Sequence, residues 1–390
     1  MTAVTSTVAR AFLLRWRWYL TAALASSCLL WTLYFLSQPH RPRVIPRPHP
    51  DSFTHPVNTT TPAVPEIPEL PLEPPTIAAG NSTLGFQSIL ALSPFPSWRT
   101  TGLQAAAQLT HLEITIPPQP PTHPEAIDAF ISLGDENNTH PNRGSATAWL
   151  AHLDLIKHVV QSDFETVLIL EDDVDWDLSI HEQSVAVAEA VRQLTKTDEL
   201  DRAPYGHSWD VLWVGLCAET WDKHFDTVYL DDPTACPPNK YTGLAKAPME
   251  RLSKGQRVVF RSGAPICTFA YALTREGAKK VLLDVGGGKD QAFDIALMNG
   301  CRERNLTCIS VLPELFHHHT PGMMGPSSLV NGGGQNSGED IEVEMGHTEN
   351  ILKSARCHAL WGKPCLEPPP PKEEPAKEEP PKEEPEAPPS

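Results

Sequence analysis

The chain has 390 residues, 40 of them proline and eight cysteine, and a formal net charge of −17. Residues 1–50 hold six Arg and no acid, while residues 366–390 hold eight Glu against three Lys, so the body between them is strongly acidic. A body of that sign argues against nucleic-acid binding through a basic face, and a phosphate ligand would need a cation to neutralise it.

The first segment, residues 1–18, is short and basic and reads as a cytoplasmic N-terminus. Residues 19–36 (YLTAALASSCLLWTLYFL) are uncharged and apolar, about the minimum length for a bilayer span, with Trp16, Trp18, Trp31 and Tyr34 as interfacial aromatics. A small-residue cleavage site, Ala23-Leu24-Ala25, falls inside this run rather than after it. The reading is therefore a retained signal anchor rather than a cleaved signal peptide. Sequons at Asn58, Asn81, Asn137 and Asn305 all follow the run. Together with the cysteines they predict a single-pass type II membrane protein of the Golgi or endoplasmic reticulum with a luminal body. Residues 37–83, rich in Pro, Thr and His, read as an extended stem.

Residues 84–365 read as one domain. Phe86–Leu92 predicts a first strand, Arg99–Leu109 a helix and Leu112–Ile116 a second strand. Ala126–Leu133 is ambiguous. Ser145 offers an N-cap for a helix with Trp149, Leu153, Ile156 and Val160 on one face. Phe164–Asp177 (FETVLILEDDVDWD) then runs from a short apolar strand into Glu171, Asp172, Asp173, Asp175 and Asp177. Such a run suits a central parallel strand buried on both faces, and ligands in open α/β sheets bind beyond the carboxyl ends of such strands. Clustered carboxylates there repel one another, and Mg²⁺ or Mn²⁺ holding a substrate's phosphates would relieve that repulsion. An arrangement that locks these acids to Lys or Arg would remove the cation reading, and an acidic loop capping the next helix is its rival.

Val185–Leu194 predicts a surface helix and Trp209–Gly215 a buried strand. Cys217–Arg261 reads as a long, irregular, aromatic segment, which at that length is either a functional loop or holds structure its pattern does not reveal. Ile266–Leu273 predicts a strand, Arg275–Leu283 a helix, Gln291–Arg302 a helix and Thr307–Leu312 a strand, followed by His317-His318-His319 as a polar turn or a source of a metal ligand. Alternating strands and helices imply an α/β layer fold. Cys301/Cys308 and Cys357/Cys365 are close enough for local disulfides, and the absence of CxxC spacing weakens a zinc reading. From residue 366 the PKEEP, AKEEP and PKEEP repeats read as a disordered tail.

Several blocks, in order, carry a resemblance: Gly144–His152 (GSATAWLAH), Leu168–Val174 (LILEDDV), Trp209–Gly215, Thr268–Ala278 (TFAYALTREGA), and Phe293-Asp294 followed by Leu312-Pro313. Over roughly residues 84–320 the body resembles glycosyltransferase family 25, which includes lipopolysaccharide-core glycosyltransferases and collagen galactosyltransferases. The resemblance implies a GT-A type, Rossmann-like nucleotide-sugar-binding domain with a mostly parallel sheet. It also implies a nucleotide-sugar donor, commonly UDP-galactose, a divalent cation, a glycan or glycoprotein acceptor and inversion at the anomeric carbon. On matching positions it implies Asp173 as the direct metal contact, Asp172 facing the nucleotide, Asp175 as an auxiliary metal acid and His152 near the donor. Asp294 matches the downstream acid, and Arg99 is what remains of a basic pair near the first strand.

Transfer needs a base to take the acceptor's proton, and Asp294 is the expected one, with Asp290 its competitor. His317 is the expected third metal ligand, and Trp221 could stack a sugar. Thr147-Ala148 and Ala151-His152 stand where the family carries Gly-Cys and Ser-His. That departure motivates an alternative: an inactive glycan-binding or scaffolding relative.

Overall fold

The computed structural model describes residues 73–367 apart from 120, 134–138, 223, 304 and 323–343. The expected cytoplasmic N-terminus, the 19–36 anchor, most of the stem, nearly all of the tail and the sequons at Asn58 and Asn137 lie outside the described residues. Among the described residues no helix is long and apolar enough to cross a membrane.

The elements run β1 (Ser88–Leu92), α1 (Trp98–Leu109), β2 (Ile114–Thr115), α2 (Pro124–Ile131), α3 (Arg143–Gln161), β3 (Thr166–Glu171), β4 (Val174–Trp176), α4 (Ile180–Thr195), β5 (Val211–Gly215), β6 (Thr227–Asp231), α5 (Lys246–Met249), β7 (Gln256–Arg261), β8 (Ala270–Thr274), α6 (Arg275–Val285), α7 (Phe293–Arg302), β9 (Cys308–Leu312), β10 (Phe316–Thr320), β11 (His347–Thr348) and α8 (Ala355–Trp361). Eight strands form one sheet in the order β2-β1-β3-β8-β5-β9-β7-β6. β1 runs parallel to β2 and β3, and β5 parallel to β9. β8 is antiparallel to both β3 and β5, and β7 to both β9 and β6. The sheet is α/β in class, and six of its eight strands share one direction with β7 and β8 reversed, so it is mixed but close to the mostly parallel sheet that was expected. An apolar run buried on both faces carries the same pattern in either direction, so it does not reveal its orientation.

Successive side chains of a strand point to opposite faces, and β3 shows the result. Val167 and Ile169 join a core with Trp149, Ile156 and Val159 of α3, Val281 of α6 and Leu297 of α7. Leu168 and Leu170 join a second core with Leu103 and Ala106 of α1 and Val187 and Val191 of α4. The domain is therefore three layers, helices on both faces of the sheet.

Local chemistry sets the helix starts. Ser97 caps α1 in a capping box with Thr100. α3 is capped by Asn142, whose Oδ1 accepts the Ser145 N–H at 2.9 Å. Ser145 is thus the third helical residue rather than the cap, because the Asn side chain three positions earlier already serves that N–H.

Three further expectations change. Cys217–Arg261 contains β6, α5 and β7. β6 is a half-exposed edge strand with Tyr229 54 % exposed, so it lacks the apolar run of a central strand. The folded body begins before Leu84: Pro75–Gly80 forms a 3-10 turn, Ala79 is fully buried, and Gly80 lies against Val185 of α4. The three histidines lie within strand β10, not in a surface turn. β10 pairs antiparallel with β4 and β11 in a small second sheet, with His317 opposite Asp175 and His318 opposite Val174.

Cys301–Cys308 and Cys357–Cys365 are bonded, as is Cys217–Cys267, while Cys236 is free and buried. Three disulfides fit an oxidising, secretory or luminal environment.

Candidate functional site

The acids sit where β3 ends, beside the end of its parallel neighbour β1. Leu92 of β1 is paired with Glu171 of β3. The next residue, Ser93, donates to Asp172 Oδ2 at 2.6 Å, and Arg99 enters from the first turn of α1. This is the carboxyl edge at which open α/β sheets place ligands.

The four aspartates are all buried, but their oxygens are spent differently. Asp172 uses one oxygen on Ser93 and the other on Arg99 Nη1 at 3.4 Å. Asp173 Oδ2 pairs with Arg99 Nη1 at 2.5 Å, while its Oδ1 is buried with no hydrogen-bond partner among the described residues. Asp175 is saturated. It accepts from the backbone N–H groups of Trp176 at 2.8 Å and Arg356 at 2.9 Å, from the Thr348 hydroxyl at 2.7 Å, and from the Ser354 hydroxyl. Asp177 accepts from the N–H groups of Ser179 and Lys353. Asp175 and Asp177 therefore brace the C-terminal segment against β4. With both Asp175 oxygens occupied, nothing in its geometry favours the metal role expected of it.

The pairing with Arg99 bears directly on the cation reading. Burial works against the Arg99 charge, but the Asp173 and Asp172 carboxylates raise its pKa and keep it protonated. Arg99, with the buried Arg356 guanidinium behind the turn, offsets only part of the local negative charge. Burial, and then the charge of Asp173, push Asp172 up to about 6 against the pull of Arg99. The same causes push Glu171 up to about 8, although 31 % of its side chain stays exposed and solvent screens part of that effect. The acids are thus partly, not fully, neutralised by protein cations.

β10 supplies imidazoles to the same edge. His319 N–H donates to the Asp173 carbonyl at 2.8 Å. His317 Nδ1 lies 3.3 Å from the His318 carbonyl, and its Nε2 lies 3.7 Å from the buried Glu314 carboxylate. His318 Nδ1 is buried without a partner among the described residues. Burial lowers the pKa of both His317 and His318, with Asp173 and Glu349 opposing, so both rings are neutral and their nitrogens can act as ligands. Of the two, His318 has the open nitrogen, whereas the sequence pointed to His317.

The remaining expected residues form a neighbouring group. His152 stacks on Phe293 with ring centroids 4.5 Å apart, its Nδ1 is 3.0 Å from the Tyr271 hydroxyl, and its Nε2 is 3.9 Å from Glu171 Oε1. Burial lowers it to about 3. Thr268 donates to Glu171 Oε1 at 3.1 Å. Asp294 begins α7 and accepts from the Cys267 and Ile295 N–H groups, each at 2.9 Å. Asp290 is held by the Asn299 amide at 3.1 Å. Trp221 is a core residue rather than a sugar platform. It is 4 % exposed, its indole N–H donates to Thr227, and it packs on Tyr229 and Phe260.

Glu171 had no assigned role in the sequence. Its partly exposed position beside Thr268, His152 and Asp173 makes it a functional candidate. The signal available beforehand was its place at the head of the acid run. The C-terminal contributors Thr348, Ser354 and Arg356 gave no signal, since they meet the acids only across a long sequence gap.

Among the described residues one group of three metal-ligating side chains lies close together: His319, Cys357 and Cys365. Its two sulfurs are bonded to each other, so it is a disulfide beside an imidazole, not a cation site. A cleft of about 230 Å³ lined by Pro117, Pro118, Asp154, Lys157 and His158 contains none of the acids, and the chemistry, not the cavity, locates the site.

The fold and its edge define a three-layer α/β domain with a buried acidic turn. No protein-family model matches the chain, and no curated protein matches it.

Proposed function

We propose that the chain is a glycosyltransferase. It would move a sugar, galactose first among the candidates, from a nucleotide-sugar donor to a hydroxyl of a glycan or glycoprotein, with inversion and with a divalent cation. The resemblance to family 25 supplies the class. The observation that carries the reading is the buried Oδ1 of Asp173 at the carboxyl end of β3, which has no partner among the described residues. A buried carboxylate oxygen left without a donor is costly, and a cation would satisfy it. Mg²⁺ and Mn²⁺ bound to diphosphates need only one or two protein carboxylates, so a single open carboxylate oxygen fits this use. Asp173 and the open His318 nitrogen are the residues that would hold the ion. Such an ion would act as a Lewis acid on the departing diphosphate.

The chain's own groups divide the remaining work. Arg99 orients Asp172 and Asp173 and shares the neutralisation of negative charge. Glu171 and Asp294 compete as the base for the acceptor hydroxyl. Asp294 has both oxygens engaged by backbone N–H groups, whereas Glu171 keeps an exposed face, and this favours Glu171.

The Arg99 pairing also supports a second reading: an inactive relative that binds glycans and in which protein cations, Arg99 and Arg356, balance the acids. Titration of the full chain with UDP-galactose, with and without Mn²⁺, separates the two. The transferase reading expects Mn²⁺-dependent binding and release of free UDP. Glycan binding with no nucleotide release and no response to Mn²⁺ would favour the binder.

A further inference from the structure

Arg356 is the least expected charge in the domain. It is fully buried on α8, far along the chain from the acids. Its Nη2 donates to the Asp172 carbonyl at 2.9 Å and to the Val174 carbonyl at 3.0 Å. Its Nε and Nη1 have no hydrogen-bond partner among the described residues. The guanidinium reaches this position because α1 carries Gly102 there: a Cβ at that residue would lie 2.3 Å from Nη1. The Trp98 ring is on another side, with its centroid 6.0 Å from Cζ.

The two carbonyls that Arg356 holds flank Asp173. The Asp173 carbonyl itself accepts from His319. Three successive carbonyls, 172 to 174, are therefore tied down, and the only free torsions left to Asp173 are those of its side chain. Arg99 then holds one of its oxygens. We infer that Arg356 is a positioning residue: it fixes the backbone of the acidic turn so that the unpartnered oxygen of Asp173 is presented in one direction. An apolar side chain here would leave the Asp172 and Val174 carbonyls without these donors, and the two guanidinium nitrogens left without partners among the described residues are the cost of supplying them. A fixed charge at the back of the acidic turn keeps three carboxylates together without occupying the oxygen that would face a ligand. Outer partners of this kind commonly change metal affinity about 10- to 100-fold when removed.

The inference rests on the proposed cation site, and the test separates the two. Arg356→Met and Arg356→Lys are made in the full chain, with Gly102→Ala as a third variant that displaces the guanidinium while keeping its charge. Hydrogen exchange across residues 171–177 reads the turn directly, and Mn²⁺ titration in the presence of UDP reads the ligand. The expected result is faster exchange in this stretch, with Mn²⁺ binding weakened about 10- to 100-fold in Arg356→Met, less in Gly102→Ala, and partly restored in Arg356→Lys. Should Arg356→Met fail to fold, Gly102→Ala carries the same readouts. Unchanged exchange in a folded variant overturns the positioning role whatever the metal does. Faster exchange in a chain whose wild type binds no Mn²⁺ upholds it and overturns only the cation reading.

Discussion

Asp173 and Asp175 stand two residues apart, and both are buried. On the turn, Asp173 keeps one oxygen without a partner among the described residues. On β4, Asp175 takes four donors, from Trp176 on its own strand, from Thr348 of β11, and from Ser354 and Arg356 at the start of α8. The comparison teaches that an acid run is not one object. Asp173 lies on the turn between β3 and β4 and Asp175 inside β4, so different neighbours reach them, and part of the run becomes framework while part is left open for chemistry.

Breaking the framework half has the largest expected effect. Asp175→Ala strands the Thr348 and Ser354 hydroxyls and the Arg356 N–H, and removes a charge that faces Arg356. Charged hydrogen bonds of this kind contribute about 1.5–3 kcal/mol each, not additively. A loss of at least about 3 kcal/mol is expected, read by chemical denaturation, with accelerated proteolysis near α8. Asp173→Asn attacks the other half. Its amide oxygen can still accept from Arg99, so the stability change is expected to be smaller than for Asp175→Ala. UDP release should fall by about 100-fold or more, as for removal of an electrostatic group aimed at the reaction. A transferase unaffected by Asp173→Asn but lost with Asp175→Ala would reverse the division drawn between the two acids.

The smallest effect concerns the group beside the turn. His152 is held neutral by burial, at about 3 against an ordinary value of 6.5. The unfolded chain therefore binds more protons between these limits. The stability that His152 contributes is present above pH 6.5 and is lost as pH falls from there toward 3. His152→Phe keeps the stacking on Phe293 but loses the bond to Tyr271. The variant is expected to be slightly less stable at pH 7.5 and to lose less stability than wild type between pH 6.5 and 5. Parallel pH profiles of melting temperature would show that this histidine does not couple to acid unfolding.

Much of the layer fold was readable from local pattern. The runs at 167–170, 211–215 and 308–312 are apolar because those strands are covered on both faces, and their helices show apolar faces at helical spacing. Strand direction was not readable, because burial on two faces erases alternation. β6 and β7 hid in an irregular stretch because an edge strand needs no apolar run. β10 hid for a different reason. Three histidines look like surface, yet His317 and His319 are buried and His318 is half-buried, because β4, β11 and Phe269 surround them.

For the site, the apolar run ending in carboxylates placed the acids at the end of β3, whereas Arg99 and His152 entered only through the family resemblance. The run could not say which acid is open. That depends on residues 348–356, which approach from more than 170 positions away in sequence to saturate Asp175 and brace the turn. Hydrogen-bond satisfaction is a property of the assembled interior, where each donor can serve few acceptors, so the distribution of partners among identical side chains was decided only by the tertiary structure.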